Sequence, residues 1–116
     1  MKIKVNFELR GKNSVVLAFN SSNEIESVFK SSQTQAKFEI YADDGTVFLN
    51  AFSGFAEDRI LISDSSSTVI LTLTATTSQL FNSQLMGLMA AGGGHNYVFF
   101  DKQTKCEFVI SWNEGY

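Results

Sequence analysis

Residues 37–52 read Lys37-Phe38-Glu39-Ile40-Tyr41-Ala42-Asp43-Asp44-Gly45-Thr46-Val47-Phe48-Leu49-Asn50-Ala51-Phe52. Two alternating apolar–polar runs flank an Asp-Gly pair, the strongest short-range signal for a β-hairpin. With Asp44-Gly45 as a two-residue loop, Ala42 faces Val47, Ile40 faces Leu49 and Phe38 faces Ala51. These apolar or small residues make one consistent inner face. The other face then carries Tyr41, Phe48 and Phe52 among Lys37, Glu39 and Asn50.

The same two-residue period recurs on both sides of this hairpin. Ile3, Val5, Phe7 and Leu9 alternate with polar residues in the first strand. Arg10-Gly11-Lys12-Asn13 is a turn cluster, and Val15 to Phe19 form a second strand. The apolar positions Ile25, Val28 and Phe29 fit either a strand or one helical turn. Ile60 to Ser63 is a short strand, Asp64-Ser65-Ser66-Ser67 a turn, and Thr68 to Thr74 a strand with Val69, Leu71 and Leu73 inward. A short helix is expected near residues 78–90. Thr77 or Ser78 can cap it, Leu80, Phe81, Leu85, Leu88 and Met89 fall at helical spacing, and Gly92-Gly93-Gly94 ends it. A last hairpin pairs Tyr97–Phe100 with Lys105–Trp112. A three-residue loop would place Val98, Phe100, Cys106, Phe108, Ile110 and Trp112 on one face and leave Glu107 and Ser111 outside.

No internal repeat is visible. Short strands joined by turns over 116 residues predict a single domain, residues 1–116, that is almost all-β: a β-sandwich or small barrel. Eleven Phe and no Pro agree with long strand ladders, and the hydrophobic fraction of 44% is that of a globular chain. A net charge of −3, with the basic residues scattered, argues against nucleic acid as a partner. No run approaches the length of a membrane span, and the alternation begins at once after Met1, unlike a signal peptide. The expected setting is reducing and cytoplasmic, where a lone Cys106 forms no disulfide.

Sites of chemistry are hard to assemble from these residues. His95 and Cys106 suggest a cysteine–histidine hydrolase, but the expected register buries the thiol, where it behaves as a small hydrophobe. Asp43-Asp44 suits turn chemistry, and Asp58 with Asp64 lacks the ligand spacing of a calcium loop. Gly92-Gly93-Gly94 follows a helix and precedes a strand, the reverse of a phosphate cradle. No catalytic residue, metal ligand or cofactor is therefore expected. Two protein-binding surfaces are: the outer hairpin aromatics Tyr41, Phe48, Phe52 and Phe55, and the Met-rich stretch with Leu85, Met86 and Met89. The aromatics serve this role if the 78–89 segment leaves them uncovered, and are a second core layer if it packs on them. The other reading of the Met-rich stretch, and the slightly favoured one, is simple core packing.

The order of features resembles the small immunoglobulin-like β-sandwich proteins of tailed-bacteriophage virions, such as the N-terminal domain of upper baseplate proteins. Arg10-Gly11 follows the first strand. Val69-Ile70-Leu71-Thr72-Leu73-Thr74-Ala75 leads to Thr77, and Tyr97-Val98-Phe99-Phe100-Asp101 ends in aspartate. Cys106-Glu107-Phe108-Val109-Ile110-Ser111-Trp112 then closes the sheet. Residues 82–94 and His95-Asn96 depart from that pattern as insertions. The resemblance implies an immunoglobulin-like antiparallel sandwich and a non-enzymatic structural role: a homo-oligomer docked on neighbouring virion proteins and assembled in the host cytoplasm. A carbohydrate- or ligand-binding module stacking on Tyr41, Phe48 or Trp112, or a small inhibitor protein, are the alternatives the same sandwich allows.

Overall fold

The computed structural model describes residues 1–63, 65 and 67–115. The turn expected over 64–67 thus lies partly outside the described residues. Eight strands and two helices follow one another as β1 (Lys2–Leu9), β2 (Lys12–Phe19), α1 (Ser22–Thr34), β3 (Lys37–Ala42), β4 (Gly45–Ser53), β5 (Arg59–Ile62), β6 (Thr68–Thr74), α2 (Ala75–Ala91), β7 (Gly94–Asp101) and β8 (Cys106–Trp112). They make two four-stranded sheets: sheet A in the order β1-β2-β8-β7 and sheet B in the order β3-β4-β6-β5.

The mostly-β, two-sheet expectation holds; the all-β and antiparallel parts of it do not. At the centre of each sheet two strands run parallel, β2 with β8 and β4 with β6. Parallel neighbours need a long crossover: between β2 and β8 it includes both helices, and between β4 and β6 it is the segment that carries β5. Helix α1 occupies the segment whose sequence fitted either element. Ser21 caps it by accepting the Glu24 amide at 3.3 Å, while the Glu24 carboxylate accepts the Asn20 amide at 2.6 Å. This Ser-x-x-Glu box, followed by inward Ile25, Val28 and Ser32, was present in the sequence as a helix signal. Helix α2 is also longer than the expected 78–90. Thr74, the last residue of β6, caps it directly, and Gly92 ends it in the left-handed region with its amide on the Leu88 carbonyl.

A repeat hidden in the sequence governs the topology. The order strand-strand-helix-strand-strand occurs over 2–53 and again over 59–112. Each half sends its first hairpin into one sheet and its second into the other. Exchanging the halves maps every pairing onto another of the same sense. Both central parallel pairs take one strand from each half, so neither half holds more than two strands of a sheet. The inner faces and both helices close on one core, with Val15 and Leu17, Val47 and Leu49, Val69 and Leu71, and Phe81 with Leu85.

Three local registers differ from expectation. The β3–β4 loop is Asp43-Asp44, with Ala42 opposite Gly45 and Ile40 opposite Val47. The shift is two residues, so each side chain keeps its face. Gly45 sits inside the strand because a Cβ there would lie 2.5 Å from the Ser67 carbonyl oxygen. In β1 a bulge between Lys4 and Phe7, with Asn6 at φ 51°, turns Phe7 and Leu9 onto the outer face, opposite Ser14 and Lys12. In β7 a bulge between Tyr97 and Phe99 leaves Val98 inside but sends Phe100 outward, opposite Glu107. Glu107 and Ser111 do lie on the outer side, yet both are buried there.

Candidate protein-binding site

Sheet B presents an open outer face. Register places Glu39 beside Phe48, Phe48 beside Ile70, and Ile70 beside Leu61, one row across all four strands. Phe48 and Ile70 are each 37% exposed and Leu61 51%. Tyr41 stands in the next row, 71% exposed, and its hydroxyl donates to Glu39, which pushes the phenol pKa up. Phe52 and Phe55 are exposed near the end of β4. The four expected aromatics are therefore uncovered, because α2 packs on the inner faces instead. Ile70 and Leu61, which complete the row, were missed. Ile70 was the one large apolar residue among outward threonines of TVILTLT, a signal that was available.

The Met-rich stretch divides. Leu85 is fully buried among the core residues, which corrects its place on a docking surface, and Met89 is packed partly against the core. Met86 is exposed. The reason is the helical period: Thr77, Ser78, Phe81, Leu85 and Leu88 make one inward stripe and Met86 falls opposite it.

Sheet A differs. The floor of its outer face, Ser14, Val16 and Ala18 on β2 with Glu107, Val109 and Ser111 on β8, is at most 7% exposed. Long side chains from the flanking strands close over it. Lys4 lies over the Phe7 ring, Lys12 over Phe100, and the Arg10 guanidinium stands 4.8 Å from the Tyr97 ring centre. Arg10 thus reaches from the β1–β2 turn to the far edge, bonding the Tyr97 hydroxyl and meeting His95 Nε2 at 3.4 Å.

His95 and Cys106 do not meet. His95 pairs with Ser111 and Cys106 with Asp101. Five residues of β8 separate those positions, about 17 Å at strand rise, and Cys106 points inward. His95 Nδ1 contacts the Glu114 carboxylate instead. Burial, reinforced by the Asp101 charge, raises the Cys106 thiol to about 11. Asp58 accepts the Thr74 amide and the Thr77 hydroxyl at the start of α2, a structural role. Asp101 is buried; burial alone would raise its carboxyl. The amides of Ile60, Gln103 and Thr104 and the Arg59 guanidinium outweigh that and hold it at about 2. Among the described residues no three His, Cys, Asp or Glu side chains gather in a group able to hold a metal, and no helix is long and apolar enough to cross a membrane.

No family model, curated protein or solved structure significantly matches this chain. The outer face of sheet B must therefore be interpreted from its own chemistry. It is apolar along one row and polar on either side, with Tyr41-Thr46-Thr68 above and Lys37-Asn50-Thr72-Arg59 below. Such a face can bury area against another protein.

Proposed function

We propose that this chain is a non-enzymatic assembly protein that docks other protein subunits, copies of itself included, on the outer face of sheet B. One observation carries the proposal: the exposed Phe48–Ile70–Leu61 row, with Tyr41 beside it. Contiguous apolar surface of this kind marks interaction sites. Its size also sets the strength. Three such side chains contribute at most about 5–9 kcal/mol on full burial, against an association cost of about 4–15 kcal/mol. One face alone therefore gives a weak contact, which suits an assembly in which many contacts repeat. In the setting implied by the phage resemblance, the subunits are neighbours in a virion assembled in the host cytoplasm. The two-sheet domain then takes the place of an immunoglobulin-like sandwich.

Sedimentation velocity over about 1–100 μM tests this, a range set by the weak contact just estimated. The wild-type chain should form larger species with rising concentration, and Ile70→Thr, which keeps β propensity, should remain monomeric. A wild-type chain that stays monomeric throughout, or an Ile70→Thr chain that associates equally well, sinks self-docking through this face.

A further inference from the structure

We propose that the cleft on the outer face of sheet A binds a small zwitterion of the α-amino-acid type with an apolar side chain. This site is separate from the sheet B surface and does not depend on it. The cleft has a volume of about 390 Å³, within the range of small-molecule pockets. Leu9, Tyr97, Phe99 and Phe100 supply apolar wall, and three charged side chains line the rest.

Glu107 is the reason to expect a ligand. It is 5% exposed, and among the described residues its Oε2 has no hydrogen-bond partner. Its Oε1 lies 3.9 Å from Lys12 Nζ, an ion pair too long for a hydrogen bond. A buried carboxylate with one oxygen unmatched is costly. The outer position of β8 opposite Phe100 would accept valine or threonine without that cost. Glu107 instead keeps an unmatched acceptor beneath the aromatic cleft, shut off from water, and it asks for an N–H donor of positive charge that enters as Lys12 swings aside.

The surrounding charges narrow the choice. Arg10 and Lys12 line the same cleft. A plain amine would add a third positive charge beside them, and a plain carboxylate a second negative charge beside Glu107. A zwitterion avoids both: its ammonium donates to Glu107 Oε2 and its carboxylate accepts from Lys12 and Arg10. The two charges of an α-amino acid lie close together, as the Lys12–Glu107 separation requires. Its side chain packs on Tyr97 and Phe100 in place of the Arg10 and Lys12 side chains that now lie over those rings; Arg10 and Lys12 turn to the ligand carboxylate.

Two-dimensional NMR titration with L-phenylalanine and L-leucine tests the site. Saturable shifts should appear at Tyr97, Phe100 and Glu107. N-acetyl-L-phenylalanine, lacking the ammonium, and phenethylamine, lacking the carboxylate, should each bind at least about tenfold more weakly. Glu107→Gln should weaken L-phenylalanine by a similar factor and should not weaken N-acetyl-L-phenylalanine, whose lone negative charge it relieves. If Glu107→Gln does not fold, Lys12→Met, at a largely exposed side chain, should weaken L-phenylalanine and should not weaken phenethylamine, which has no carboxylate; equal weakening of both overturns the proposal. No saturable shift up to about 10 mM of either amino acid, a weak-binding limit, overturns the proposal. So does equal binding of the acetylated or decarboxylated analogue.

Discussion

The Asp101 carboxylate accepts the backbone amide of Ile60 at 2.8 Å, and in doing so pins the end of β7 in sheet A to the edge strand β5 in sheet B. The other half of the molecule does the same thing. Asp44, in the turn between β3 and β4, accepts the amide of Ile3 on edge strand β1, also at 2.8 Å. Each clasp joins the tip of one sheet's hairpin to the other sheet's edge, and the two exchange when the halves exchange. An edge amide that would otherwise lie unpaired is satisfied in both places.

Asp101 should make folding stability depend on pH in the acid range. Its carboxyl sits at about 2 in the fold against an ordinary value of 3.8. The unfolded chain therefore binds the proton more readily, and stability rises with pH through this window. The contribution, about 2 kcal/mol, is fully present above about pH 4 and disappears as pH falls towards 2. Urea denaturation from pH 5 to pH 2 should show Asp101→Asn less stable than wild type at pH 5 and close to it at pH 2. A constant difference across the range would remove the electrostatic account.

Two glycines should respond to alanine in opposite directions. At Gly45 the new methyl would lie 2.5 Å from the Ser67 carbonyl oxygen, so Gly45→Ala should lose about 1–3 kcal/mol. Gly87 is exposed within α2 and has nothing within 4 Å of its would-be Cβ. Gly87→Ala should gain about 0.5–1 kcal/mol by helix propensity. Thermal unfolding of both variants checks the pair.

Leu85 and Met86 are neighbours on α2 with opposite roles. Leu85→Ala leaves a hole in a packed core and should cost about 2–5 kcal/mol. Met86→Ala removes an exposed side chain and should stay within about 0.5 kcal/mol of wild type. Equal effects would mean that the helix is rotated from its described position.

Cys106 should be inert in the native state. Burial places its thiol at about 11, leaving little thiolate at neutral pH. A disulfide exchange reagent at pH 8 should label it only at the rate of unfolding, and labelling should become immediate in denaturant. Fast native labelling would place the thiol at the surface.

Most strands were legible before any tertiary information. Period two survives in β3, β4 and β6, because each has one face on the core and one towards solvent. The exposed aromatics were legible for the same reason, since Tyr41 and Phe48 fell on the side opposite Ile40 and Val47. Where the alternation broke, at Asn6 and Val98, a bulge had reversed the faces. Those two bulges decide whether Phe7 and Phe100 are core or surface. For α1, Ile25, Val28 and Phe29 alone fit a strand or one helical turn, and Ser21 with Glu24 carries the signal that decides for the helix.

Local pattern, then, determined that this chain is made of short half-buried strands with surplus aromatics, since alternation and turn chemistry act between near neighbours. Tertiary structure alone decided that β2 lies beside β8 and β4 beside β6, that the halves are topological twins, and that Glu107 is enclosed. Those facts depend on contacts between residues up to about a hundred positions apart, among them Val16 beside Val109. Many different side chains can satisfy such contacts, so they leave no periodic trace in the chain.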